Sequence, residues 1–271
     1  MALHDDAADA DLERRFGGLR RLHGNAGYAA LRAARVAVVG LGGVGSWTVE
    51  ALARSGVAAL TLIDFDHVAE SNINRQVQAL GATLGQAKGA ALRERIADIH
   101  PGCGVTLVDA FVDADNWPAL LPDAVDVLVD ACDQVRAKAV LAAWALAGGT
   151  PCVSVGAAGG KQTAQAVEVA DLAETTHDPL LAALRQRLRQ QHGAARSGPI
   201  GVRCVFSREA VALPEASDCA VDGSLNCHGY GSTVTVTATF GMVAAAEAIS
   251  LVLGAARARR ANLDGPEIFK L

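Results

Sequence analysis

Residues 36–56 read "VAVVGLGGVGSWTVEALARSG". Four apolar residues in a row form a short buried strand. The run Gly40-Leu41-Gly42-Gly43-Val44-Gly45 then fits G-x-G-x-x-G, and an apolar helical pattern follows. In such a turn Gly40 allows the tight reversal, Gly42 lets backbone approach a phosphate, and Gly45 lets the helix pack on the strand. A helix N-terminus with free N–H groups then faces the anion. The motif therefore predicts a nucleotide site, and NAD and ATP satisfy it equally.

Working outward, further strands are expected at 60–64, 105–109, 125–130 and 152–155, with helices at 44–55, 86–100 and 134–147. That alternation is the order of a Rossmann-like, doubly wound α/β fold with a mainly parallel sheet. After Gly156 the pattern changes. "AVEVADLAET" (166–175) reads as an antiparallel strand, 180–191 as an Arg-rich helix, and 193–231 as a long mobile loop. We expect one domain over 1–271, with a nucleotide-binding core at 35–156 and substrate-side strands, loop and C-terminal helix at 157–271.

The second strand ends in "LIDFD", which sets Asp64 where a carboxylate can accept both ribose hydroxyls. NAD and ATP both carry that ribose. The polar run Asn74-Arg75-Gln76 follows in "SNINRQ". Arg75 can meet phosphate oxygens bidentately, and the flanking amides can hydrogen-bond the same group. The competing reading is a solvated polar turn. Lys88 opens the next helix, where the dipole disfavours a cation unless an anion offsets it, and a triphosphate would be that anion. "VDACDQVRAK" then sets Asp130 and Asp133 at the end of the fourth strand, a pair able to hold Mg²⁺ through oxygen. For Asp133 a helix N-cap is the plain alternative.

Composition narrows the class. A net charge of −5 gives no general attraction to nucleic acid or anionic membrane, so any RNA contact needs a local patch. Arg185, Arg187, Arg189, Arg196, Arg203 and Arg208 form one, with a solvated helix face as the alternative. The six cysteines contain no CxxC pair, which disfavours a paired-knuckle zinc site. Residues 1–15 lack an apolar signal core, so a cytoplasmic chain with reduced thiols is expected. The apolar stretch 232–256 is long enough to span a bilayer, but its four threonines, Gly241 and Glu247 favour a buried or dimer-interface helix.

The set "GLGGVGS", "LIDFD", "NINRQ", "AK" and "DACD" resembles the adenylating fold of ubiquitin-activating enzymes and of bacterial activators of sulfur-carrier proteins. Within that superfamily, "RRFGGLRRLHG", "GSWTVEALARSG", "DACDQVRAKAVL", "GAAGG", "DPLLAALRQRLR", "CVFS" and "TVTATFG" resemble the tRNA threonylcarbamoyladenosine dehydratase family from about Arg15 to Leu253. The resemblance implies an acyl-adenylate on the threonyl carboxylate of the modified adenosine beside the anticodon, then ring closure with loss of water. It implies ATP contacts at Gly42, Asp64, Asn74, Arg75, Gln76 and Lys88, Mg²⁺ at Asp133, tRNA on the arginine patch, and a homodimer in which Arg15 reaches the partner's triphosphate. It also implies an accessory thiol at Cys227, linked to a cysteine desulfurase or sulfur-acceptor system, although ring closure needs no thiol. Three other readings compete. A sulfur-carrier activator would share the ATP site but usually carries the missing zinc knuckles. An NAD oxidoreductase has no need of Arg75, Lys88 and Asp133, and a non-catalytic scaffold has no need of competent residues at every contact.

Overall fold

The structure is a computed structural model, and it describes residues 11–212 and 230–263. Seven strands form one sheet: β1 (Arg35–Val39), β2 (Ala59–Ile63), β3 (Gly104–Val108), β4 (Val127–Asp130), β5 (Cys152–Val155), β6 (Val167–Asp171) and β7 (Arg203–Ser207). Their spatial order is β3-β2-β1-β4-β5-β7-β6. All neighbours are parallel except β6 and β7, which pair antiparallel with Val169 opposite Val205. The helices are α1 (Leu12–Leu31), α2 (Gly45–Arg54), α3 (Lys88–Ile99), α4 (Val135–Gly148), α5 (Pro179–Gln191) and α6 (Val234–Leu263).

Alternation along β1 shows how the two faces are filled. Val36 and Val38 join the core under α2, α3 and α6, while Ala37 and Val39 join the core under α4. A third cluster locks α4 and α5 against β7 through Leu181, Leu184, Leu188 and Phe206. The inner strands are thus covered on both sides, as parallel sheets require, while the edge strands β3 and β6 are only partly buried. Buried Glu50 on α2 ties that helix to α3 through Arg95 at 2.8 Å.

One expectation changes here. The region after Gly193 is no plain loop, since Arg203–Ser207 is a strand between β5 and β6 whose last four residues are buried. Its short apolar run lacks the alternation that marks a half-exposed strand. The apolar C-terminal segment is helix α6, the one helix among the described residues long and apolar enough to cross a membrane. Half of that stretch is buried: Val236, Phe240, Ala244, Ala248 and Val252 form a stripe against α2 and the sheet. Gly241 makes the close crossing possible, because a Cβ there would lie 2.6 Å from the Val44 carbonyl oxygen.

Candidate functional site

Strand order reverses between β1 and β4, and a cavity of about 440 Å³ opens at the C-terminal ends of β1, β2 and β4. Ligands of doubly wound sheets bind at this switch point. The glycine turn is its floor. Gly40 has φ +86°, and a Cβ there would lie 2.8 Å from the Ala131 oxygen and the Cys132 nitrogen. At Gly45 a Cβ would sit 1.8 Å from the Gly40 oxygen, so helix α2 is seated directly on the turn. Around Gly42 nothing lies within 4 Å of a Cβ, so that residue faces open cavity.

Asp64 directly follows β2, with both carboxylate oxygens engaged by backbone. Oδ2 accepts from Leu41 N–H at 2.5 Å and Oδ1 from Asp66 N–H at 2.8 Å. Each oxygen keeps a second lone pair, so the carboxylate is oriented and still able to accept hydroxyl donors. Arg75 and Gln76 line the cavity and are buried. Arg75 Nη1 donates to the Ser71 carbonyl at 2.7 Å and to Asn74 Oδ1 at 2.9 Å, leaving Nε and Nη2 for a ligand.

Asn74 departs from expectation. It lies outside the cavity lining and is exposed, with Nδ2 donating to the Ser232 carbonyl at 2.9 Å. The asparagine that does line the cavity is buried Asn72, whose Oδ1 accepts from Ala69 N–H at 3.0 Å. The irregular turn after the 3₁₀ helix Glu70–Asn72 sends Asn74 outward to Ser232 while Arg75 and Gln76 face the cavity.

Lys88 is also in the lining, with its side chain 7% exposed, and Nζ meets Asp66 Oδ2 at 2.8 Å. The anion that offsets the helix dipole is therefore Asp66, so the cation at this position does not by itself require a triphosphate. The two acids of the fourth strand separate as well. Asp133 lines the cavity, is exposed, and accepts no hydrogen bond from the described residues. It is no N-cap either, since Gln134 holds that position. Asp130 is no cavity group. It is wholly buried, with Oδ2 on Lys138 Nζ at 3.0 Å and on Ser154 Oγ at 2.8 Å. Burial pulls the Lys138 ammonium toward its neutral form, but the Asp130 carboxylate outweighs that pull and raises its pKa.

Two walls were not read from the sequence. Phe65 and Phe111 stand at the ends of β2 and β3, half exposed, with ring centroids 5.0 Å apart, an apolar face suited to a planar base. Only six phenylalanines exist, and two at strand ends beside acids were the available signal. Opposite, Gly156–Gly159 and Leu180 complete the lining. Asp178 fixes that wall: its Oδ1 caps α5 at Leu181 N–H, and its Oδ2 accepts from Ala157 N–H, both at 2.9 Å.

The remaining candidates lie elsewhere. Arg15 sits on α1, outside the cavity of its own chain, and Nη1 donates to the Asp98 and Ile99 carbonyls at the end of α3. Arg185, Arg189 and Arg196 share a shallow depression along α5. Arg185 Nη1 is tied to Leu172 and Thr175. Arg187 faces Gln191. Arg203 does not join this depression, because it starts β7 and pairs with Glu247 of α6 at 2.7 Å. Arg208 likewise pairs with Glu168. Cys227 lies outside the described residues, as does Cys219. Of the described thiols Cys132 lines the cavity, and burial raises its pKa well above the ordinary value.

A strand, glycine turn and helix with Asp64, Arg75, Lys88 and Asp133 around one cavity defines a nucleotide-dependent adenylating fold. The chain belongs to the ThiF family, whose model matches residues 14–268. It is 42% identical over 254 residues to the tRNA threonylcarbamoyladenosine dehydratase of Escherichia coli K12, covering 90% of this chain and 95% of that protein. Solved structures of the E. coli dehydratase TcdA superpose with TM-score 0.84 in complex with ATP and 0.83 with AMP, at 42% identity and over 93% and 92% of this chain. They are matched over 99% and 98% of their own length. The E. coli molybdopterin-synthase adenylyltransferase is more distant, 40% identical over only 47% of this chain.

Proposed function

We propose that the chain is an ATP-dependent tRNA threonylcarbamoyladenosine dehydratase acting through an acyl-adenylate. The observation that carries this is the coincidence of a complete nucleotide cavity at the switch point with near full-length similarity to dehydratases of that name. ATP would lie with its base against Phe65 and Phe111, its ribose on Asp64, and its phosphates over Gly42 toward Arg75, Gln76 and Lys88. Lys88 then exchanges Asp66 for a phosphate oxygen. Among the described residues no three His, Cys, Asp or Glu side chains converge on a metal. The donors instead fit Mg²⁺ held by Asp133, phosphate oxygens and water, the usual manner for this ion. Bound there, it would neutralise charge that grows on the phosphates.

The threonyl carboxylate enters from the Gly156–Gly159 side and attacks the α-phosphorus, and pyrophosphate leaves. The activated carbonyl is then attacked from within the same side chain: the ring closes as the acyl–phosphate bond breaks, AMP leaves and the attacking group gives up its proton, so the nucleoside loses one water while ATP becomes AMP and pyrophosphate. Positioned cations matter most as the phosphate charge develops. In a homodimer Arg15 would supply a further one after leaving the α3 carbonyls. The tRNA backbone would follow the α5 depression at Arg185, Arg189 and Arg196, with Arg187 beside it. Cys227 would act only as an accessory group for a sulfur-relay partner. A cytoplasmic location agrees with this substrate.

The test is to incubate the protein with ATP, Mg²⁺ and tRNA bearing threonylcarbamoyladenosine and to weigh the nucleoside. Loss of one water is expected. Unchanged nucleoside mass, with ATP–pyrophosphate exchange driven by the C-terminus of a ubiquitin-like protein, overturns the reading in favour of a sulfur-carrier activator.

A further inference from the structure

Among the described residues the large wholly buried side chains include one lysine, Lys138, whose ammonium lies beside Asp130, just before the turn that carries Asp133. Its Nζ meets Asp130 Oδ2 at 3.0 Å and Ser154 Oγ at 3.3 Å, and Ser154 Oγ donates to the same Oδ2 at 2.8 Å. The other carboxylate oxygen turns back on the chain: Asp130 Oδ1 accepts from Cys132 N–H at 3.2 Å and from its thiol at 2.9 Å. One end of Asp130 is therefore held by a buried cation, and the other sets the backbone of residues 131–133. Gly40 leaves just enough space for that backbone to pass.

Asp133 has no restraint of its own, since its carboxylate accepts no hydrogen bond from the described residues and does not cap α4. Its direction is inherited from the turn. A buried ion pair is not needed for stability, because well-packed apolar replacements are often neutral or better. What apolar replacements cannot supply is the acceptor for Cys132.

We propose that Lys138 is a positioning residue: through Asp130 it aims the 131–133 turn, and with it Asp133, at the metal and phosphate end of the cavity. This rests on Asp133 as the Mg²⁺-side acid of the proposed function. Partners that orient a metal ligand typically govern affinity by 10- to 100-fold.

The experiment measures ATP binding by calorimetry across a Mg²⁺ titration, with thermal unfolding alongside. Asp133→Ala is the benchmark. Lys138→Met, and the apolar pair Asp130→Leu with Lys138→Met, are expected to need roughly tenfold more Mg²⁺ for half-maximal tightening of ATP. Their Mg²⁺-free ATP binding should match the parent, and the apolar pair, which loses only the Cys132 and Ser154 hydrogen bonds once the charges are gone, should melt within a few degrees of it. A merely structural role would move the melting temperature instead. If those variants do not fold, Ser154→Ala decides, with a shift of about two- to fivefold, the effect of losing one hydrogen bond to an Asp130 that keeps Lys138. An unchanged Mg²⁺ requirement in the folded variants, or in Ser154→Ala, overturns the proposal. If Asp133→Ala itself leaves the requirement unchanged, the metal reading of Asp133 fails and the proposal falls with it.

Discussion

Arg75 lines the cavity, and its Nη1 is held at 2.7 Å by the Ser71 carbonyl and at 2.9 Å by Asn74 Oδ1. The charge and its aim therefore come from different residues. Arg75→Ala removes charge-assisted hydrogen bonds to phosphate, each worth about 1.5–3 kcal/mol, so ATP affinity should fall by 10- to 100-fold. Asn74→Ala removes only one bond to a guanidinium that keeps Ser71, a loss of about 1 kcal/mol or roughly fivefold. Calorimetric titration with ATP compares the two. Equal losses would mean that Asn74 touches the nucleotide after all. The same residues show where sequence stopped short: "SNINRQ" displays the polar set, but which asparagine faces inward depends on a 3₁₀ turn at Glu70–Asn72 that spacing alone does not fix.

At the scale of elements, β1, its turn and α2 form a unit whose three glycines answer to three different constraints. Gly45→Ala would set a methyl 1.8 Å from the Gly40 oxygen, a clash with backbone that nothing flexible can relieve. The cost should be about 3 kcal/mol or more, read as a lower midpoint in denaturant. Gly42→Ala meets nothing within 4 Å, so it should fold like the parent and lose ATP affinity by narrowing the phosphate floor. Calorimetry paired with denaturant melts tests this split, and a Gly42→Ala protein that binds ATP normally would sink the role given to that glycine. This unit was legible in the sequence because its glycine spacing lies within six residues and Gly45 answers to Gly40 itself, although Gly40 also makes room for the distant Ala131–Cys132 backbone. β7 was not, since its burial comes from β5, β6 and α5, which no local pattern reports. Asp130 was not either: whether a strand-end acid faces ligand or core is decided by Lys138, eight residues away on another element.

For the whole molecule the instructive group is His100, which joins α1 to the end of α3. It is wholly buried, packs edge-on against Phe16 at 4.8 Å, and lies 2.6 Å through Nε2 from Arg32 Nη1. An arginine donates only, so Nε2 must be the acceptor and the ring neutral. Burial, reinforced by the charges of Arg32 and Arg15, pulls its pKa down to about 4 from an ordinary value of 6.5. The unfolded chain therefore takes up this proton first. Stability from the neutral ring is fully present above about pH 6.5 and is lost as pH falls toward 4. The loss should be roughly 2–3 kcal/mol, or several degrees of melting temperature. Carboxylates held low by cations, such as Glu50 beside Arg95 and Arg54, add a loss only below their ordinary value of 4.5, so the two windows separate. Thermal melts between pH 7 and 5 should fall for the parent and stay nearly flat for His100→Gln, which cannot take up a proton. A parent curve as flat as the variant's would show that α1 is not clamped to α3 by a neutral imidazole.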